Sequence, residues 1–281
     1  MSFKKMTACL TATLLMLAML ATTAFAAEES YGVDWTKGVI RAKGIGAGKS
    51  TTKNKGLKRA QARRAAMMDA QRNLAEAVKG VHVTSESRMA DLELADDRVA
   101  TRVNAIIKNM TEVSGQYMDD DTYEIILEMP LFGAGDSLSD AAFLPFRDEP
   151  KVDFPQPVDV TIIHQTTVIA QKYTGLIIDC RGMNINCVMS PVIKNANGTK
   201  IYGHQNLDYD KIIVSGMASY AEQVADQISR ARAGSNPLVV KAVRLDDLNA
   251  NPVVSVADAD KILAANQHDK FLENCAVVFI R

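Results

Sequence analysis

A run of glycines ending in Gly48-Lys49-Ser50 is the first place where this chain offers chemistry. The backbone amides of a glycine-rich loop can cradle a phosphate, with the lysine and the serine hydroxyl completing the site. That pattern requires a glycine five positions before the Gly of Gly-Lys-Ser, and the position is occupied by Lys43. The plainer reading of Gly44-Ile45-Gly46-Ala47-Gly48 is a strand end whose small residues let a helix pack closely. A second chemical feature surrounds it. Between Asp34 and Asp69 the chain carries ten basic residues and no acid. Lys55, Lys58, Arg59 and Arg63 are the candidates for a face that meets an anionic partner. Arg59 and Arg63 stand one helical turn apart and share a face with Lys55. The competing reading is a solvated helix face offset by the acids at 91–97 and 119–124. Aromatic residues are scarce in this stretch, so base stacking is unsupported and no nucleic-acid partner is expected.

The other reactive side chains are scattered. None of His82, His164, His204 and His268 sits at ligand spacing from another His or Cys, so no metal and no cofactor is expected. No Gly-x-Ser-x-Gly elbow occurs. Cys180 and Cys187 bracket six residues between two expected strands. A disulfide between them is open, because facing residues of an antiparallel pair lie within bridging range. Cys180 and Cys275 read equally as core residues. Asp179, Arg181 and His204 are the polar residues that an exported hydrolase or ligand-binding protein would use.

These side chains need elements to position them. Val39–Ala47 reads as a strand and residues 51–78 as a helix, with Met67, Ala70, Leu74, Ala77 and Val78 at helical spacing. Val81–Ser85 reads as a short strand. One further helix is expected through Leu92, Ala95, Val99, Val103, Ile106 and Met110. The period then changes to two, through Val113, Gly115 and Tyr117 and again from Tyr123 to Leu131, which predicts a hairpin around Asp119-Asp120-Asp121. Residues 31–132 therefore read as one α+β domain, roughly strand, helix, strand, helix, hairpin. Residues 133–157 hold four of the eight prolines and read as a linker, with Phe143, Leu144 and Phe146 able to dock on a domain.

A second small α+β domain is expected over 158–281. Its strands are read at 158–170, 174–180, 187–194, 199–202, 238–243 and 276–280. Asn197-Gly198 marks a hairpin turn, 219–232 a helix, and Ser255 with Asp258 the capped start of another.

The N-terminus supplies an address. Lys4 and Lys5 precede an apolar run from Leu10 to Ala21, and Ala24-Phe25-Ala26 offers small residues to a signal peptidase. Residues 1–26 are thus expected to be a secretory signal peptide, and the run is shorter than the roughly 20 residues of a membrane span. Cys9 precedes the apolar run, so no lipid anchor is expected. The formal charge of −1 points away from general nucleic-acid binding.

Gly38-Val39-Ile40-Arg41-Ala42-Lys43-Gly44-Ile45-Gly46, followed by Ala62-Arg63-Arg64-Ala65-Ala66 and Asp69-Ala70-Gln71-Arg72-Asn73-Leu74, resembles the Lpp-type envelope lipoprotein family. It is also similar to the N-terminal domain of the flagellar assembly protein T group. Tyr173–Asp179 and Ile201-Tyr202-Gly203 look like a segment that accompanies such a domain in larger envelope proteins. The resemblance implies an α+β domain of the bacterial envelope with structural or assembly roles and no known active site. The chain departs from the lipoprotein members in lacking their lipidated cysteine, so anchoring does not carry over, nor does a flagellar role by itself.

The expected function is that of a non-catalytic exported protein with a structural, assembly or binding role, in the periplasm or on the extracellular face of the cell envelope. Its expected partner is an envelope protein or an anionic envelope polymer. The alternative is an exported hydrolase or small-ligand-binding protein with an inter-domain site. A deep pocket with convergent charges would favour the alternative.

Overall fold

In Val39–Gly46, here β2, alternation puts Ile40, Ala42, Gly44 and Gly46 on one buried face and Arg41 and Lys43 on the other. The fold follows from what lies on that buried face. A computed structural model describes residues 31–110, 112–157 and 172–281. The expected signal segment 1–26 and the strand read at 158–170 lie outside them.

Strand β1 (Gly32–Asp34) pairs antiparallel with β2. Helix α1 (Lys55–Lys79) then covers the buried face of β2 with Ala62, Ala66, Ala70, Leu74 and Val78. Its start is fixed by Asn54, whose side-chain oxygen accepts from the Leu57 amide at 3.0 Å. The helix begins four residues later than the expected 51. A Cβ on Gly44 would lie 2.3 Å from the Ala66 carbonyl oxygen, and one on Gly46 2.1 Å from the Ala66 amide. Neither glycine has a positive φ. They are needed for room and not for a turn, which agrees with the close-packing reading of this run.

The next expected helix is divided in two. Helices α2 (Met89–Ala95) and α3 (Asp97–Asn109) meet at Asp96, whose backbone is extended at φ −141°. The Asp96 carboxylate accepts from the Arg98 amide at 2.8 Å. An aspartate is a better N-cap than a helix-interior residue, so it ends one helix and starts another. The strand read at 81–85 is likewise corrected to an isolated bridge between His82 and Arg88. The carbonyls of His82 and Val83 instead accept the amides of Met189 and Ser190. Strands β3 (Glu112–Tyr117) and β4 (Tyr123–Pro130) form the expected hairpin, completing an antiparallel sheet of order β1-β2-β4-β3.

Residues 133–157, read as a linker, contain helix α4 (Ser139–Ala142) and a single 3-10 turn at Leu144–Phe146. Leu138, Ala141, Ala142 and Phe143 have no exposed surface. The exposed run is Arg147–Asp153.

From residue 172 onward the described elements build two further sheets. Strands β5 (Gly175–Asp179), β6 (Ile193–Asn195) and β7 (Lys200–Tyr202) lead to helix α5 (Tyr209–Ser215). Strand β8 (Ser219–Ala221) follows, then α6 (Gln227–Ala233), β9 (Pro237–Lys241), β10 (Arg244–Asp246) and β11 (Asn251–Val254). Helix α7 (Val256–Asp269) and β12 (Val277–Ile280) complete the order. The sheet β8-β12-β5-β9 is parallel throughout, and the other has the order β10-β11-β6-β7. The expected helix 219–232 is corrected at its first half. Ser219–Ala221 pair with β12 as a strand, and Asp226 caps a helix that starts at Gln227. The turn at Asn195–Gly198 and the Ser255 cap stand as expected, with Gly198 at φ 86°.

The architecture is α+β. The described residues form one compact unit, and one apolar cluster runs from Ile40 through Phe143 to Phe279. Among the described residues no helix is long and apolar enough to cross a membrane.

Candidate anion-binding site

The basic stretch that stood out in the sequence divides when folded. Arg41 and Lys43 lie on the outer face of the first sheet and pair with Glu128 at 2.7 Å and Glu124 at 2.5 Å. Lys58 meets Asp121 at 3.5 Å, on the hairpin turn. Acids at 121 and 124 therefore do offset part of the charge. The acids at 91–97 do not meet this stretch: Asp96 pairs with Arg98, and Asp91 accepts from the Arg88 amide.

Lys37 pairs with Asp34 at 3.7 Å, and three of the other cations gather on one side of α1. Arg59, Arg63 and Arg64 line an open groove of about 530 Å³ with Gly56, Ala60, Met67 and Tyr117. It lies where α1 stops covering the sheet and the edge strand β3 begins. The Arg59 guanidinium sits 4.1 Å from the centre of the Tyr117 ring, and the Tyr117 hydroxyl donates to the Arg59 carbonyl at 3.1 Å. A cation on an aromatic face is held in place without losing its charge. Arg63 donates through Nη2 to Glu112 at 2.7 Å. Glu112 also accepts from the Tyr123 hydroxyl. Burial pushes the Glu112 carboxyl up, but these hydrogen bonds and the nearby Arg63 charge outweigh it and hold it below the usual carboxylate range. Gly115 makes this possible, because a Cβ there would lie 1.8 Å from a Glu112 carboxylate oxygen. Arg64 and Lys55 are exposed and make no ion pair with the described residues.

One further property adds to the positive potential. The first turn of α1 contains no acid, while Lys53, Lys55 and Lys58 cluster there. Cations at a helix N-terminus oppose the dipole, at a cost of about 0.3–1 kcal/mol each at low salt. An anion placed here would relieve that repulsion. Of the four expected face residues, Arg59 and Arg63 come together in the groove. Lys58 points to the hairpin turn, and Lys55, one turn before Arg59, is not among the residues that line the groove. The sequence reading missed Arg64 and Tyr117 as lining residues. Arg64 follows Arg63 directly and was legible as charge, whereas Tyr117 arrives through β3 and left no local signal.

The residues of the alternative reading are not assembled. Asp179, the last residue of β5, accepts from Arg181 at 2.8 and 2.6 Å. Hydrogen bonds from Arg181 lower its carboxyl to about 2 in spite of partial burial. Its contribution to stability is present above the ordinary carboxylate pKa and is lost as pH falls through about 2. Asp179→Asn is expected to lower stability at pH 7 by roughly 1–2 kcal/mol, allowing for screening at the exposed Arg181. The difference between the two proteins should disappear near pH 2, as read by urea midpoints along a pH series.

His204 lies elsewhere, with Nε2 at 3.0 Å from Glu149 and its ring 4.5 Å from Phe146. It lines a cleft of about 210 Å³ with Arg147, Lys151, Asp208 and Tyr209. Neither Asp179 nor Arg181 lines that cleft, and its described lining holds no Ser, Thr or Cys. It is also smaller than the ~300 Å³ at which ligand pockets begin. A His–carboxylate pair can orient a general base, but no hydroxyl of Ser or Thr and no thiol stands among the described residues of this lining for it to activate.

The three described cysteines are free thiols. The bridge left open between Cys180 and Cys187 is not formed in the structure. Burial raises the Cys180 thiol to about 12 and that of Cys187 to about 11. Thiolate, the species that attacks a disulfide or an alkylating reagent, is therefore scarce at neutral pH. Native protein at pH 8 is expected to react with iodoacetamide far more slowly than the same protein in urea. Rapid native alkylation of Cys180 would contradict its burial.

The family model for the second domain of Treponema pallidum Tp0624 matches residues 175–281. The match opens at the first residue of β5 and takes in the whole parallel sheet. It leaves out α1, β3 and the groove between them. No match to a curated protein was found.

Proposed function

We propose that this chain is a non-catalytic protein exported to the cell envelope, where it binds an anionic partner through the groove between α1 and β3. The observation that carries the reading is the arrangement of Arg59, Arg63 and Arg64 around an apolar floor, beside a helix start whose first turn carries no acidic residue. Clustered charge of one sign raises the local potential although the protein as a whole is slightly acidic. The export signal read at residues 1–26 supports the location, as does the resemblance of residues 38–74 to envelope proteins with assembly roles. The role is binding or assembly, with an envelope protein or an anionic polymer as the partner.

Replacing Lys55, Arg59 and Arg64 together by Gln tests this without unpairing Glu112. Binding of long-chain polyphosphate and of poly-L-glutamate is expected to weaken roughly tenfold or more, equivalent to about 1.4 kcal/mol. The melting temperature should hardly move, because all three side chains are exposed. Binding by the unaltered protein should fall as salt rises, since exposed charges are screened over ~8 Å at physiological ionic strength. Polyanion binding that the triple variant leaves unchanged would refute the groove as the site.

A further inference from the structure

We propose that the occupant of the groove is an extended acidic segment of another polypeptide, which adds to the free edge of β3 as a fifth strand of the first sheet. This rests on the anionic-partner reading and names the partner's chemistry. Among the described residues, strand β3 is at the end of the sheet order and pairs only with β4. Val113 to Tyr117 are exposed, and Val113 keeps 53% of its surface. The backbone of an edge strand presents alternate N–H and C=O groups outward, and an extended segment can pair with them.

The cations lie along this edge. Arg63 meets Glu112 at the start of β3 and Arg59 meets Tyr117 at its end, so α1 runs antiparallel to the strand. Along a helix, side chains four apart advance about 6 Å. Along a strand, side chains two apart advance about 6.6 Å. A segment with acids at every second residue would thus present carboxylates at nearly the pitch of Lys55, Arg59 and Arg63. Arg64 adds a cation at the same opening. The intervening side chains would project towards the other face of the sheet, beside the exposed Ser114 and Gln116. Polar or β-branched residues suit those positions.

The length of the segment is bounded by the strand itself. The register shift between Glu112 and Ser114 leaves Ser114–Tyr117 as the regular part of the edge. Glu112 at one end, and Asp119 to Asp121 at the other, would repel acids placed beyond the cationic stretch. The matching motif is short, with two or three acids in alternation. A polyphosphate chain would use the same cations but would leave the β3 backbone unpaired.

The test uses the full chain and three synthetic octapeptides. One alternates Thr and Glu, one has the same composition in two blocks, and one is the alternating peptide N-methylated at every second residue. Fluorescence anisotropy reads binding and hydrogen exchange reads the amides of Val113 to Tyr117. The alternating peptide is expected to bind at least tenfold tighter than the other two and to slow exchange of the outward amides of β3. Arg59→Gln should weaken it several-fold. If all three peptides and polyphosphate bind alike, without protecting β3, strand addition is wrong and a charge-only groove remains. If neither the peptides nor polyphosphate binds, the anionic-partner reading fails with it.

Discussion

Gly46→Val is expected to be among the most destabilising single changes in this protein, with Gly44→Val close behind. A Cβ on Gly46 would lie 2.1 Å from the Ala66 amide nitrogen and 2.3 Å from the Ala62 carbonyl oxygen. A Cβ on Gly44 would lie 2.3 Å from both the Ala66 carbonyl oxygen and the Ala70 amide nitrogen. These are backbone atoms of α1, so no rotamer change relieves the overlap and the helix must lift off the sheet. Overpacking a core costs about 1–3 kcal/mol even where side chains can adjust. Separating two packed backbones should cost about 3 kcal/mol or more. Gly80→Ala is the control. Its Cβ would stand 3.4 Å from the Ala77 carbonyl, an ordinary contact, at a φ of −76° that alanine accepts. That variant should change stability by less than about 1 kcal/mol. Urea midpoints for the three proteins decide the matter, and an unshifted midpoint for Gly46→Val would disprove the close approach of α1 and β2.

Phe143→Ala is expected to cost about 3–5 kcal/mol, the usual range for removing a fully buried aromatic ring. Phe143 has no exposed surface and stands 5.9 Å from the Phe146 ring. Beside it, the Ser139 hydroxyl donates to the Ile213 carbonyl at 2.7 Å, and the Gly133 amide donates to the same oxygen at 3.0 Å. The segment therefore fastens the first sheet to α5. Trp35, the one tryptophan of the chain, packs edge-on against Tyr220 of β8 at 5.7 Å and reports by its fluorescence the contact of the β1–β2 turn with β8. The unaltered protein should unfold in a single transition by this probe and by circular dichroism, and Phe143→Ala should move both midpoints together. Two separated transitions in the unaltered protein would mean that residues 31–132 and 158–281 unfold independently. Limited proteolysis is expected to begin in the exposed Arg147–Asp153 run and to spare Leu138–Phe143.

What could be read from the sequence alone was whatever depended on neighbours along the chain. The alternation in Tyr123–Leu131 placed β4, the spacing of Ala70, Leu74 and Val78 placed the buried stripe of α1, and Asn197-Gly198 and Ser255 placed a turn and a cap. Each of these signals is local, because a pleat, a helical turn and a cap are satisfied within a few residues. The same local rules failed where tertiary contacts competed. The stripe through Leu92 and Val99 read as one helix, but the Asp96 carboxylate found amides to cap and divided it. Ser219–Ala221 fitted a helix by pattern and became a strand, because β12 offered Tyr220 a parallel partner. The prolines of 133–157 read as a linker, and only the folded chain buries Phe143 between elements far apart in sequence.

The candidate site divides in the same way. Its charge was visible as ten basic residues without an acid, since composition needs no fold. Which of those cations remain available was decided by the tertiary structure. Glu124 and Glu128 took Lys43 and Arg41 through strand register, and the hairpin turn brought Asp121 to Lys58. Tyr117 arrived under Arg59 from 58 residues away. A sequence counts charges, but pairing depends on distances of a few ångströms between segments that only packing brings together. The open edge of β3 belongs to the second class as well, because whether a strand has one neighbour or two is a property of the sheet and not of its residues.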